Sequence, residues 1–261
     1  DVVWAEVGYA SRYDDAVLAG LTREAEAPQL ETWDRAAIDN APPSVAHEAV
    51  MESEDGLKAW LERIERYGFC FVEGVPATPE ATQALAERVA YIRHTLFGGF
   101  WDFTANMEHK DTAYTTLAIG PHTDGTYSFD APGYQMFHCM EFDGEGGEST
   151  LVDGFRIAEL LRRDDPEAYA TLASVRVPGR YLDEGVSLRA ERPLFREEQG
   201  RLRQVSYNNH DRAPFWLPES EMAAFYRALA AFDALANDPA LVYQRRLEPG
   251  TALLFDNWRV L

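Results

Sequence analysis

His122-Thr123-Asp124-Gly125-Thr126-Tyr127, residues 122–127, is the stretch on which the reading of this chain turns. On extended backbone, residues two apart point to the same side, so the His122 imidazole and the Asp124 carboxylate can converge on one ion. A more distant histidine would complete a two-histidine, one-carboxylate facial triad. Such a triad leaves positions open on a ferrous ion for a co-substrate and oxygen. Taken alone, His-x-Asp fits a surface turn or a structural hydrogen bond at least as well. Spacing does not choose the third ligand either. His138 lies in an apolar run and reads as core, while His210, in the polar run 208–212, is the best internal candidate. His47, His94 and His109 precede the pair without a supporting pattern.

Downstream of the pair, Tyr134 to Phe142 reads as an apolar strand, and Gly144, Gly146 and Gly147 make a turn before the strand Thr150-Leu151-Val152. A helix is predicted from about Phe155 to Leu172 with a break near Pro166, then strands and loops over 175–207. The last helix runs from about Glu219 to Ala236, with Met222, Phe225, Tyr226, Leu229 and Phe232 inward, and Pro249-Gly250 turns into a strand from Thr251 to Phe255. Upstream, Ser53 is an N-cap for a helix to Tyr67, Gly68 ends it, and Phe69-Cys70-Phe71-Val72 is a short buried strand. Thr78-Pro79 opens another helix, whose apolar stripe is Leu85, Val89, Ile92 and Leu96. Residues 1–50 read as an N-terminal arm or linker, with Trp4 and Tyr13 as anchors and Pro42-Pro43 as an irregular link; residues 51–261 form the body. The pattern is α+β. No glycine-rich nucleotide fingerprint follows any strand, so a dinucleotide fold has no support.

Composition narrows the partners. The 261 residues are 46% hydrophobic and 26% charged, enough for a substantial core. Lys and Arg number 24 against 44 Asp and Glu, a formal charge of −20 without any basic stripe, so nucleic acid is excluded as a partner. No run of about 18 apolar residues predicts a membrane-crossing helix, and no signal peptide is evident. Two cysteines, Cys70 and Cys139, both in apolar runs, fit a reducing compartment; a cytoplasmic protein is expected. The chain opens at Asp1 and stops at Leu261 inside an apolar run, so a longer polypeptide is expected.

Six segments, in order, carry a resemblance: Asp111–Thr115 (DTAYT), His122–Tyr127 (HTDGTY), Pro132–Cys139 (PGYQMFHC), Gly146–Phe155 (GGESTLVDGF), Tyr207–Ala213 (YNNHDRA) and Asp256–Leu261 (DNWRVL). The chain resembles the Fe(II)/2-oxoglutarate dioxygenases of the taurine dioxygenase superfamily, within them the γ-butyrobetaine and trimethyllysine hydroxylase group. The resemblance implies a distorted double-stranded β-helix, or jelly roll, with helices packed outside. His122 and Asp124 would be iron ligands and the catalytic centre. In the family, DNWRVL runs straight into His-Gly-Arg, whose histidine is the distal ligand; here that position falls just after Leu261. Implied cofactors are Fe(2+), 2-oxoglutarate and O2, with ascorbate as an optional addition. A homodimer is implied too, and carnitine biosynthesis as its setting. No zinc site is predicted in the N-terminal stretch.

The resemblance also implies a pocket for a small cationic substrate with a trimethylammonium group. Methylated ammonium cannot donate hydrogen bonds, and ring faces attract its diffuse charge. Trp101 and Tyr114 match cage aromatics, with Phe97 where the group often has Tyr. Asp111 could pair with the α-ammonium of trimethyllysine, whereas butyrobetaine has only a carboxylate at that end, where a neutral Asn would serve better. Asn208, Asn209 and Arg212 could hold the substrate carboxylate. Ser149 aligns with a residue that orients 2-oxoglutarate, and Phe137 would be an apolar wall beside it. Hydroxylation of trimethyllysine at C3 is the first expectation, a butyrobetaine hydroxylase the second, and an iron-free quaternary-ammonium binder the third.

Overall fold

The computed structural model describes residues 2–4, 8–22, 30–100, 102 and 119–261. In chain order the elements are β1 (Val2–Trp4), β2 (Tyr9–Ser11), α1 (Asp15–Thr22), α2 (Arg35–Asp39), β3 (Ser44–Ala46), α3 (His47–Glu52), α4 (Glu54–Tyr67), β4 (Phe69–Glu73) and α5 (Pro79–Glu87). There follow β5 (Tyr134–Cys139), β6 (Ser149–Leu151), α6 (Gly154–Asp164), α7 (Pro166–Ser174), β7 (Arg176–Asp183) and β8 (Val186–Pro193). Then come β9 (Phe195–Glu198), β10 (Arg201–Val205), α8 (Glu219–Ala236), β11 (Tyr243–Arg245) and β12 (Thr251–Asp256).

The α4–β4 unit shows how local chemistry sets the frame. Ser53 Oγ accepts from Gly56 N at 2.9 Å, and Glu54 and Asp55 favour the positive end of the helix. Trp60 and Ile64 bury its inner stripe, and Gly68, at φ 79°, turns the chain directly into β4. Alternation then gives β4 two buried faces: Phe69 and Phe71 look one way, Cys70 and Val72 the other.

β4 sits inside the one four-stranded sheet, ordered β3-β4-β12-β5, with β3 parallel to β4 and the other pairs antiparallel. Leu253 of β12 faces Phe71 on one side and Phe137 on the other. On that face Trp33, Ile38, Leu151, Tyr243, Phe255 and Val260 complete a core. On the opposite face Val50, Trp60, Ile64, Leu85 and Leu254 make a second. A third core joins α6, α7 and α8 to the β9–β10 hairpin through Ile157, Leu172, Phe195, Phe225 and Phe232. The break between α6 and α7 falls where Pro166 stands, and Asp165 caps the new helix by accepting from Ala168 N at 3.0 Å.

The expected jelly roll is not formed among the described residues. Apart from the four-stranded sheet, the strands fall into two-stranded ladders, β1-β2, β6-β11, β7-β8 and β9-β10, and no sheet closes or curls into a barrel. The physical reason is visible at 119–133, where the chain forms no strand and is tied to its neighbours through side-chain bonds of Thr123 and Asn257. Between β5 and β6 the left-handed glycines Gly144, Gly146 and Gly147 break strand geometry as well. The fold is α+β with several small antiparallel sheets.

Other expectations need adjustment. The helix opened by Thr78-Pro79 stops at Glu87; Val89 and Leu96 lie beyond it, 40% and 43% exposed, because only Leu85 finds a core to enter. Tyr226 of α8 is half exposed rather than inward. In the N-terminal region Tyr13 is exposed and the buried anchor is Trp33, whose Nε1 donates to the Tyr67 carbonyl at 2.7 Å.

Candidate functional site

The 122–124 segment is held from both sides. Thr123 N donates to the Tyr207 carbonyl at 2.7 Å, and Tyr207 N returns a bond to Thr123 Oγ1 at 2.9 Å. Asp124 N donates to Asn257 Oδ1 at 2.7 Å, while Asn257 Nδ2 donates to the carbonyls of Asp124 at 3.1 Å and Pro132 at 2.9 Å. One amide side chain therefore clamps both backbone groups of Asp124. With Thr123 turned inward, its neighbours His122 and Asp124 share the other side. Gly125 ends the segment at φ 70°, where a Cβ would sit 2.7 Å from Pro132 Cδ, so only glycine allows this turn.

His122 Nε2 and Asp124 Oδ1 lie 3.3 Å apart, both side chains partly exposed. Two ligand atoms on one ion, with bonds of about 2.1 Å at right angles, would be about 3 Å apart, so the spacing fits adjacent ligation. The other imidazole nitrogen supports this. His122 Nδ1 lies 2.8 Å from the Gly120 carbonyl, which it meets as a donor, so Nε2 is the nitrogen that faces Asp124 and would face an ion beside it. Among the described residues no third His, Cys, Asp or Glu joins them in a metal-type cluster.

Charge around the pair is coupled. Burial depresses His122, but the hydrogen bond and charge of Asp124, then the Gly120 carbonyl and Asp211, raise it above the ordinary range. Burial pushes Asp124 up, and the His122 bond and charge with a hydrogen bond from Gln135 hold it below the ordinary carboxylate range. Asp211, bonded by the Thr126 hydroxyl at 3.1 Å, is raised by burial and by Asp124.

The other expected residues fall into groups. Phe137 shares a face of β5 with Gln135, and its ring packs 5.2 Å from Phe255. Ser149 opens β6 opposite Arg245, two residues before Leu151 of the same core. Phe97 stands edge-on to Tyr181 at 5.6 Å, and Tyr181 lies 5.0 Å from Tyr127, so this ring cluster begins three residues after Asp124. Asn208 Oδ1 accepts from the backbone N–H of His210 and Asp211, and Asn209 Nδ2 donates to the Tyr207 hydroxyl at 2.8 Å. Arg212 lies over the Tyr226 ring at 5.2 Å. His138 is on the opposite face of β5, its Nδ1 2.6 Å from Thr82 Oγ1. Trp101, Asp111 and Tyr114 lie outside the described residues.

A model of the taurine catabolism dioxygenase TauD, TfdA family matches residues 35–261. This chain belongs to that family. Among members of the TauD group it is 40% identical over 249 residues to a trimethyllysine dioxygenase of Meyerozyma guilliermondii, covering 92% of this chain and 62% of the relative. The mitochondrial trimethyllysine dioxygenase of Homo sapiens is 37% identical over 229 residues, 84% of this chain and 54% of the relative. A γ-butyrobetaine dioxygenase of a Pseudomonas strain is 36% identical over 253 residues, 97% of this chain and 65% of the relative. The chain thus spans 54 to 65% of the length of these relatives. A solved taurine dioxygenase structure from Burkholderia xenovorans superposes with a TM-score of 0.57 at 18% identity, over 80% of this chain and 73% of that one. That is a likeness of fold alone. The cytoplasmic expectation is overturned, since the vertebrate relatives are mitochondrial by name.

Sequence reasoning missed the residues that position the TauD pair. Asn257 lies within DNWRVL, yet nothing local announces that it will grip a residue 133 positions away. Tyr207, Gln135, Asp211 and Tyr127 stand inside the quoted segments without an assigned role, and Tyr181 stands outside them.

Proposed function

We propose that this chain carries the catalytic region of an Fe(II)/2-oxoglutarate-dependent hydroxylase acting on trimethyllysine at C3. The observation that carries the reading is the convergence of His122 Nε2 and Asp124 Oδ1 at 3.3 Å, in a chain similar over most of its length to trimethyllysine dioxygenases. His122 and Asp124 would hold the ferrous ion, with a further ligand from outside the described residues. Bound there, the iron would let O2 oxidise both partners, one oxygen atom going to succinate as 2-oxoglutarate loses CO2 and the other exchanging a substrate C–H for C–OH.

The protein's own work is positional. The Gly120 carbonyl fixes the imidazole tautomer, Gln135 and Asn257 orient the carboxylate, and the Thr123–Tyr207 exchange keeps both ligands on one side. Ser149 and Phe137 would flank 2-oxoglutarate. Phe97, joined by Tyr127 and Tyr181, offers ring faces to a trimethylammonium group, with Trp101 and Tyr114 as further cage residues. Asp111 would neutralise the substrate α-ammonium, and Asn208, Asn209 and Arg212 would face its carboxylate.

The likeness to a γ-butyrobetaine dioxygenase favours one second reading, hydroxylation of that substrate. Succinate formation by the full-length protein with trimethyllysine and with butyrobetaine decides between them. Preferential coupling to butyrobetaine would overturn the first reading. Asp111→Asn is expected to lower trimethyllysine turnover tenfold or more, about 1.5–3 kcal/mol for a lost charged hydrogen bond, while sparing butyrobetaine.

A further inference from the structure

Beneath the Thr126 end of the metal-pair segment lies a cavity of about 20 Å³, room for one water-sized sphere. Thr126, Arg192, Ser206, Asn208, Arg212 and the backbone at Pro178–Gly179 line it. Two guanidinium nitrogens, Arg192 Nη1 and Arg212 Nη1, are buried here without a hydrogen-bond partner. Neither arginine makes an ion pair among the described residues. Arg192 Nη2 is anchored on the carbonyls of Ser128 and Phe129, which fixes the direction of the group. Burial first, then Arg196, depresses the Arg192 guanidinium; Asp130 opposes them and Arg176 adds a smaller push.

Buried N–H donors of charged groups are rarely left unmet. A water could meet these N–H groups, its own protons going to the Thr126 or Ser206 hydroxyl, but it would leave two guanidinium charges at one cavity without a counter-charge. An acceptor-only, negatively charged occupant meets both donors and supplies that charge. We infer that Arg192 and Arg212 form a site for one small anionic atom, a halide ion or a single oxygen of a carboxylate. If the carboxylate is the substrate's own, this rests on the function proposed above; the halide case does not. Either occupant would tie the β7–β8 hairpin and the 208–213 loop to the segment carrying His122 and Asp124.

Sodium chloride and sodium formate, each compared with sodium gluconate at matched ionic strength, test the site by thermal unfolding. A saturable rise in Tm of roughly 5 to 10 °C is expected at about a hundredfold excess over Kd. The Arg192→Gln variant should lose the anion-specific part, and Arg192→Lys should retain some of it. Line broadening of the ³⁵Cl resonance by the wild-type protein, relieved by bromide, reads the site without any variant. Trimethyllysine that also relieves the broadening assigns the site to the substrate carboxylate; broadening that survives it assigns a resident halide. The inference is overturned if neither chloride nor formate gives a specific shift or broadening. It is equally overturned if folded Arg192→Gln responds as the wild type does.

Discussion

Asn257 shows how one side chain can make a site. It spends its acceptor on Asp124 N and its two donors on the carbonyls of Asp124 and Pro132, so the carboxylate above has a fixed backbone. Asn257→Ala is therefore expected to weaken Fe(II) activation of 2-oxoglutarate turnover by about 10- to 100-fold, read as a shift in the metal titration midpoint. Unchanged metal dependence would show that the clamp is dispensable. Its neighbour Asp256 is a different case. Burial pushes its carboxyl up to about 6, opposed by the bond from Trp258 N and by Arg259. A carboxyl raised on folding is protonated longer in the native state than in the unfolded one. Stability then falls as pH rises from about 4 through 6, by roughly 3 kcal/mol at most. Asp256→Asn, which keeps an acceptor for Trp258 N, should remove that fall. Urea unfolding at pH 4.5 and 7.5 tests this: an equal pH response in variant and wild type would refute the assignment.

The turn from α4 into β4 depends on Gly68, and a second glycine at the other end of the strand provides its control. Gly68 and Gly74 both sit at φ 79°, but a Cβ on Gly68 would meet Arg259 Cδ at 2.8 Å, while Gly74 has nothing within 4 Å. Both alanine variants carry the left-handed strain, about 1 to 3 kcal/mol. Gly68→Ala should lose more, because Arg259 cannot move. Its guanidinium is paired with Asp153 at 2.8 and 3.0 Å, and donates to the carbonyls of Arg66 and Glu31. Asp153 in turn caps α6 at Phe155 N and accepts from Trp33 N. Equal losses in the two glycine variants, measured by denaturant midpoint, would mean that the crowding is harmless. Arg259→Gln should cost about 3 to 5 kcal/mol, since it leaves a buried carboxylate without its cation.

Residues 257–261 join the three cores. Val260 enters the core on one sheet face, Leu261 enters the helical core, and β12 just before them carries Leu254 into the third. Their backbone bonds reach Val205, Gly154 and Val152, at the edge of the helical core. Deleting 257–261 is expected to abolish cooperative unfolding and near-ultraviolet circular dichroism rather than merely lower Tm. A deletion protein that still unfolds in one sharp transition would show that the cores cohere without this segment.

Much of the local structure could be read from the chain. The Ser53 cap, the Gly68 stop, the α6–α7 break at Pro166 and the limits of α8 all follow from interactions within a few residues, where propensity and periodicity act. The same was true of the convergence of His122 and Asp124, which needs only strand geometry. The failures share a cause. The stripe after Glu87 had the right spacing but no surface to bury it. The expected barrel dissolved into small ladders because Thr123, Asn257 and the glycines of the 144–147 turn route the chain by side-chain bonds and left-handed turns, not by strand pairing. Asn257 on Asp124, Arg259 on Asp153 and Thr123 on Tyr207 join residues far apart in sequence. Such contacts become defined only when packing has excluded water and made each buried donor find its acceptor.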